Sequence, residues 1–283
     1  MSADALGVLL TPWGLGLLGL CVGSFLNVVA HRLPRMMERA WRLEAAELLN
    51  VSAEAPIDVG LAKPASRCPA CGHTIRWFEN IPVLSWIALR GRCSACKTPI
   101  SPRYPLVEMA TGLLFAALAW RFGAQPVVLA WCGFVATLVA LAAIDWDTTL
   151  LPDSLTQPLL WAGLIAASLG WTLPLSAALW GAVLGYLALW SVYWLFKLTT
   201  GKEGMGAGDF KLLAALGAWL GASMLLPIVL GASLIGAAVG IAMKLSGGLR
   251  EGRYVPFGPF LAGAGMVVLF AGPERVMGWL GWA

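Results

Sequence analysis

Val127-Val128-Leu129-Ala130-Trp131-Cys132-Gly133-Phe134-Val135-Ala136-Thr137-Leu138-Val139-Ala140-Leu141-Ala142-Ala143-Ile144 carries no charged side chain and then meets Asp145-Trp146-Asp147. About 20 mainly apolar residues are what a helix needs to cross a bilayer, so this run reads as a membrane span that ends on an acid. Seven further runs have the same character, at 6–30, 106–120, 155–169, 173–195, 210–226, 227–243 and 257–280. The composition agrees: of 283 residues, 59% are hydrophobic and only 12% charged, with a mean hydropathy of +0.78. These values exclude an ordinary soluble domain. The expected fold is an all-α polytopic membrane protein with about eight transmembrane helices.

Charge placement orients the spans, because loops facing the cytoplasm are enriched in Lys and Arg. With the N-terminus outside, eight spans put 31–105, 145–154, 196–209 and 244–256 on the cytoplasmic side. Of the 19 Lys and Arg, all but Arg121 and Arg275 then fall in or at the edge of those segments. The first run has no basic residue before it and Arg32 after it, so it reads as a retained span rather than a cleaved signal. A formal net charge of +4 fits contact with anionic headgroups of the lipid bilayer and implies no nucleic acid partner. Three regions follow: 1–30, the first span; 31–104, a small cytoplasmic domain; and 105–283, a seven-helix membrane domain.

Within 31–104, residues 36–49 space their apolar and charged side chains as an amphipathic helix does, either on the headgroups or packed on the small domain. Cys68-Pro69-Ala70-Cys71 and Cys93-Ser94-Ala95-Cys96 are two knuckles at zinc-ribbon spacing. On a cytoplasmic face, disulfides are disfavoured. The reading is a zinc-ribbon-like domain whose four thiolates, Cys68, Cys71, Cys93 and Cys96, leave no coordination position open to a substrate, so the metal is structural. Between the knuckles, Trp77 to Trp86 reads as the packed core of the ribbon in preference to a ligand pocket. Cys21 and Cys132 fall in spans and read as core residues.

The acids carry the chemistry. Ionisable groups at membrane depth are costly unless they face a partner or a wet cavity. Asp145 closes one apolar run, and Gly206-Ala207-Gly208-Asp209 opens another on the same face. Two neighbouring carboxyls share a proton, so one can act as general base and the other as general acid toward a water. Gly206 and Gly208 allow an extended substrate to approach the acid closely. Asp153 after Pro152 suits a helix N-cap, and Glu108 can answer a helix N-terminus. A proton-coupled transporter using the Asp pair is an alternative, as is a non-catalytic secretion-system scaffold. The transporter would place its acids near mid-span and show internal repeats, and neither is present.

The chain resembles the bifunctional type IV prepilin peptidases, intramembrane aspartyl proteases of the GxGD type. The resemblance rests on Gly23-Ser24-Phe25-Leu26-Asn27 with His31-Arg32-Leu33-Pro34, both cysteine knuckles, Glu79-Asn80-Ile81-Pro82 and Arg103-Tyr104-Pro105-Leu106-Val107-Glu108. It extends through Ile144-Asp145, Leu151-Pro152-Asp153, Gly201 to Asp209 and Pro256-Phe257-Gly258-Pro259. It implies a bacterial inner-membrane enzyme with a periplasmic N-terminus that removes the leader of type IV prepilins and type II secretion pseudopilins after Gly, at the cytoplasmic face. It further implies N-methylation of the new N-terminus with S-adenosylmethionine. The resemblance maps the catalytic pair onto Asp145 and Asp209, the zinc ligands onto the four knuckle cysteines, and methyl transfer onto Glu79 and Gly91. The methyl donor is implied by resemblance alone, since the chain has no glycine fingerprint of a dinucleotide fold.

Overall fold

The computed structural model describes residues 7–51, 60–246 and 255–282. Ten α-helices are named here: α1 Pro12–Leu48, α2 Leu84–Ala88, α3 Arg103–Phe122, α4 Val127–Thr148, α5 Asp153–Ser168, α6 Leu175–Thr200, α7 Ala207–Leu220, α8 Leu225–Leu245, α9 Gly258–Ala271 and α10 Pro273–Trp279. No strand is found among the described residues, only two isolated bridges in the cysteine segment.

All the long helices fall on the eight apolar runs. Five spans are long and apolar enough to cross a membrane on their own terms, and six if α9 and α10, bent by 108° at Gly272, make one. The remaining apolar runs form the shorter helices α5, α7 and the bent pair α9–α10. At 14 residues, α7 is about 21 Å long against a hydrocarbon core of about 30 Å. From Leu212 to Leu220 every residue of α7 is buried, as expected of a helix that is apolar all round.

Two boundaries differ from the sequence reading. The first run does not stop at 30: α1 continues through Pro34 to Leu48, so the amphipathic stretch at 36–49 is the outer part of one helix of roughly 55 Å. A single proline removes one intrahelical bond and does not end this helix. The break between the sixth and seventh runs falls at Gly221, whose φ of +87° closes α7. Pro227 lies in the first turn of α8, where a missing N–H costs nothing.

The chain forms two compact units, Met1–Ala140 and Leu141–Ala283. In the first, α1 packs along α3, and Asn27 Nδ2 donates to Tyr104 O at 3.1 Å. In the second, α7 is the hub, packed against α5, α6, α8 and α9. Its Trp219 Nε1 donates to Leu159 O of α5 at 2.8 Å. Outward-facing Leu113, Trp120, Trp161, Leu198 and Leu234 are each at least 60% exposed, which suits a lipid-facing surface.

Candidate active site

Asp145 lies in the last turn of α4 and Asp209 in the first turn of α7. Both belong to the second unit, and both are buried, at 4% and 8% exposure. They are close enough for their charges to interact. Asp145 Oδ2 accepts the backbone N–H of Gly258 at 2.9 Å, so the opening residue of α9 aims its donor at the acid that closes α4. Asp209 Oδ1 is buried and has no donor from the described residues, which leaves one carboxyl oxygen with its hydrogen-bonding capacity unspent.

Leu151 ties these parts together. A Cβ built on Gly208 would stand 2.6 Å from Leu151 Cβ, and one on Gly258 would stand 3.1 Å from Leu151 Cδ2 and 2.6 Å from Asp145 Oδ2. One leucine therefore wedges between the N-termini of α7 and α9, and both openings need glycine. Gly206 is different: its φ is −80°, and an added Cβ would find only Asp209 Oδ2, at 4.0 Å.

Beside the acids, Lys211 Nζ holds both oxygens of Asp153 at 2.7 Å. Asp153 is the first residue of α5 and does not cap it; Pro152 is the N-cap. The loop leading to Gly206 is pinned by Lys197 Nζ to Glu203 Oε1 at 2.8 Å. That ammonium holds the Glu203 carboxyl below its ordinary range.

In the first unit the four sulfurs of Cys68, Cys71, Cys93 and Cys96 lie within 4.8 Å of one another. The Cys68 and Cys96 sulfurs are 3.7 Å apart. A tetrahedron with metal–sulfur bonds of about 2.3 Å has edges of about 3.8 Å, so the donor set and its spacing can hold a metal ion. The two knuckles are built alike. Cys68 N–H donates to His73 O and Cys93 N–H to Thr98 O, each at 2.9 Å. The residue after each second cysteine, Gly72 or Lys97, is left-handed, with φ of +73° and +61°.

Glu79 and Gly91, the methyl-transfer candidates, are both engaged in this module. Glu79 Oε2 accepts from Arg76 N–H at 2.8 Å and meets His73 Nε2 at 3.2 Å. The Ser94 hydroxyl, the Arg76 N–H and His73 together hold its carboxyl at about 2. A carboxylate that acidic stays ionised at neutral pH and is a weak base. Gly91, at φ +65°, lies on the Trp86 indole, where an added Cβ would stand 2.8 Å from Cζ2. Glu108 does not serve its own helix terminus: its Oε2 accepts the N–H of Val83 at 2.7 Å.

Two comparisons bear on this arrangement. Residues 17–122 match the family model described as bacterial peptidase A24 N-terminal domain, and 132–241 match the type IV leader peptidase family. The prepilin leader peptidase/N-methyltransferase of Stutzerimonas stutzeri is 55% identical over 272 residues, covering 94% of this chain and 92% of that protein. The chain belongs to the type IV leader peptidase family. Proteins of the same name from Pseudomonas aeruginosa and Aeromonas hydrophila are 53% and 52% identical, over 91% and 90% of this chain and 89% of each of theirs. No solved structure matches the chain. Nothing in these relatives favours the transporter or the scaffold.

In the sequence, Leu151 and Gly258 stand only as members of longer motifs, with no role of their own. Gly258 stands between Phe257 and Pro259 at the start of an apolar run, and the prolines there read either as a break in a helix near the acids or as a helix start. Its position opposite Asp145 has no signature in periodicity.

Proposed function

We propose that this chain is a membrane aspartic endopeptidase and N-methyltransferase. It removes the leader of type IV prepilins and type II pseudopilins after Gly and then methylates the new N-terminal amine. The observation that supports this most is the burial of Asp145 and Asp209 at the converging ends of α4, α7 and α9, with one carboxyl oxygen of Asp209 uncommitted.

In this reading one carboxyl of the pair is protonated and the other ionised. The ionised member takes a proton from a water as its oxygen attacks the scissile carbonyl carbon. The protonated member donates to the carbonyl oxygen. Collapse of the tetrahedral intermediate breaks the C–N bond, the amine leaves with a proton, and the leader keeps the water oxygen in its new carboxylate. The Gly258 N–H fixes the rotamer of Asp145 throughout, and Leu151 sets the approach of the two helix openings. The chain's apolar helices suit a substrate whose own apolar helix arrives through the lipid of the bacterial inner membrane, with the N-terminus of the enzyme periplasmic and the acids facing the cytoplasm.

Zinc would be held by Cys68, Cys71, Cys93 and Cys96 as a structural cross-link for a segment with little core of its own. S-adenosylmethionine is the second substrate and supplies the methyl group. Glu79 and Gly91 act by shaping the segment between the knuckles: one through its bonds to Arg76 and His73, the other by fitting against Trp86.

The test is an assay of purified protein on a prepilin, reading leader cleavage and methylation separately. Asp145→Asn and Asp209→Asn should each abolish cleavage while methylation of a pre-cleaved substrate persists. Unchanged cleavage in either variant refutes the aspartyl reading.

A further inference from the structure

Between Glu79 and Glu108 the chain contains Arg90, Arg92, Lys97 and Arg103 and no acid at all. Three of these cations, Arg90, Arg92 and Lys97, line one cleft of about 440 Å³ together with Ala88 and Leu89. No residue lining the cleft is acidic. Lys97 Nζ already donates to Ser94 O at 3.0 Å, and the knuckle thiolates adjoin Arg92 and Lys97 in sequence. The guanidinium forks of Arg90 and Arg92 nonetheless suit a phosphate, with Lys97 adding a third cation.

A second cleft of about 440 Å³ lies at the other end of the short helix α2. It is lined by Leu17, Leu20 and Cys21 of α1, Met109 of α3, and Ile81, Pro82, Val83 and Leu84, and every one of these is apolar or a thiol. Leu84 opens α2 and Ala88 closes it, so the apolar and the cationic cleft are about 6 Å apart along that helix.

Bonds within the unit fix the depth of each cleft. Ile100 N–H donates to Gly91 O at 2.7 Å and Trp86 Nε1 to Ile100 O at 3.2 Å, so Arg90 and Arg92, flanking Gly91, stand just before α3 begins at Arg103. The Asn27 to Tyr104 bond makes those two residues level. Counting along the helices, Met109 and Cys21 lie about 8 Å beneath that level and Leu17 about 15 Å beneath it. Charge level with the opening of α3, and an apolar slot that extends about 15 Å along the helices from that level, suit a phosphate headgroup and part of its acyl chain. Leu84 and Ile87, 65% and 59% exposed on α2, add the apolar surface that interfacial segments bury in lipid.

We propose that the first unit binds one anionic phospholipid of the surrounding bilayer, its phosphate held by Arg90, Arg92 and Lys97 and an acyl chain seated against Leu17, Leu20, Leu84 and Met109. This inference rests on the membrane fold and is independent of the catalytic reading.

Native mass spectrometry of the full-length protein, released from nanodiscs of mixed phosphatidylglycerol and phosphatidylcholine, tests it. Wild type should retain one phosphatidylglycerol with at least tenfold preference. R90Q/R92Q/K97Q should lose that preference, and the charge-matched R35Q/R39Q/R42Q should keep it. Equal retention by wild type and R90Q/R92Q/K97Q, or equal loss in both triple variants, overturns the site. Alkylation of the exposed Cys21 by a membrane-permeant maleimide separates the ligand sources. Phosphatidylglycerol should slow it several-fold and millimolar inorganic phosphate should not. Slowing by phosphate as strong as by lipid, or none by lipid, shows that no acyl chain occupies the apolar cleft and overturns the proposal.

Discussion

The backbone N–H of Gly258 lies 2.9 Å from Asp145 Oδ2, across 113 positions of sequence. It is the first residue of α9, and helix openings present unpaired N–H groups and the positive end of the dipole. One acid of the proposed pair is thus oriented by a helix terminus that contributes no side chain.

Gly258→Ala should therefore impair cleavage without removing a catalytic group. Its Cβ would fall 2.6 Å from Asp145 Oδ2, closer than two such atoms can rest, so the carboxyl must turn away. A misplacement of about 1 Å can cost about a hundredfold in rate. Leader cleavage by this variant should fall by about that factor, with methylation of a pre-cleaved substrate retained. Cleavage within twofold of wild type would show that Asp145 needs no such support.

The two glycines of Gly206-Ala207-Gly208-Asp209 should behave differently. Gly208→Ala drives a methyl into Leu151 Cβ, whereas Gly206→Ala enters open space at a φ any residue adopts. Gly208→Ala should reduce cleavage strongly, Gly206→Ala by less than about threefold, and Leu151→Gly combined with Gly208→Ala should recover part of the loss, because only glycine at 151 removes the Cβ that the new methyl meets. Cleavage rates of the four proteins decide it; equal loss at both glycines would place the motif's requirement in the substrate rather than in Leu151.

How much of this was legible beforehand follows from the kind of signal each feature leaves. The long helices are continuous apolar runs, which hydropathy reads directly, and the cysteine knuckles carry their own spacing. Asp145 and Asp209 stood out because acids beside such runs are costly. Leu151 and Gly258 sit inside longer motifs but show no role there, since a leucine or glycine among many becomes special only through a partner distant in sequence. The helix break at Gly221 was missed for a local reason: Pro227 looked like the stronger punctuation, yet proline is harmless in a first turn. The short helices α5, α7 and α9 also needed the fold, because burial against neighbours, not lipid thickness, sets their length.

Metal removal should divide the two activities. The four sulfurs and Glu79's partners lie in the first unit, and the acid pair in the second. A chelator should abolish methylation first and leave cleavage of a prepilin measurable; simultaneous loss of both would argue against the division. Glu79 adds a pH signature. Its carboxyl is held at about 2 against an ordinary 4.5, so its folded pKa is depressed. Its contribution is present above about 4.5 and is lost as pH falls through about 2. The difference in thermal stability between wild type and Glu79→Gln should be constant from pH 7 to 5 and shrink only below that window.

Glu108 and Val83 make the last test. Val83 has φ +60° and ψ −47° and sits at the centre of a γ-turn closed by Leu84 N–H to Pro82 O at 2.6 Å, a strained region that costs about 1–3 kcal/mol, more so for a β-branched residue. Its N–H is held there by Glu108 Oε2 at 2.7 Å, and Glu108 is only 8% exposed. Removing the acceptor leaves a donor unpaired, at a cost of about 1–3 kcal/mol, and frees Val83 to leave its strained turn. Glu108→Ala should thus lower the thermal stability of the first unit and loosen residues 81–89. Glu108→Gln keeps a carbonyl acceptor and should lose less. Val83→Gly should be nearly neutral, because relief of the backbone offsets the lost apolar contact. Hydrogen exchange at the Val83 and Leu84 amides reads the latch directly. It should quicken in Glu108→Ala and stay slow in Glu108→Gln, and equal exchange in all three proteins would mean that the buried carboxyl does not hold the turn.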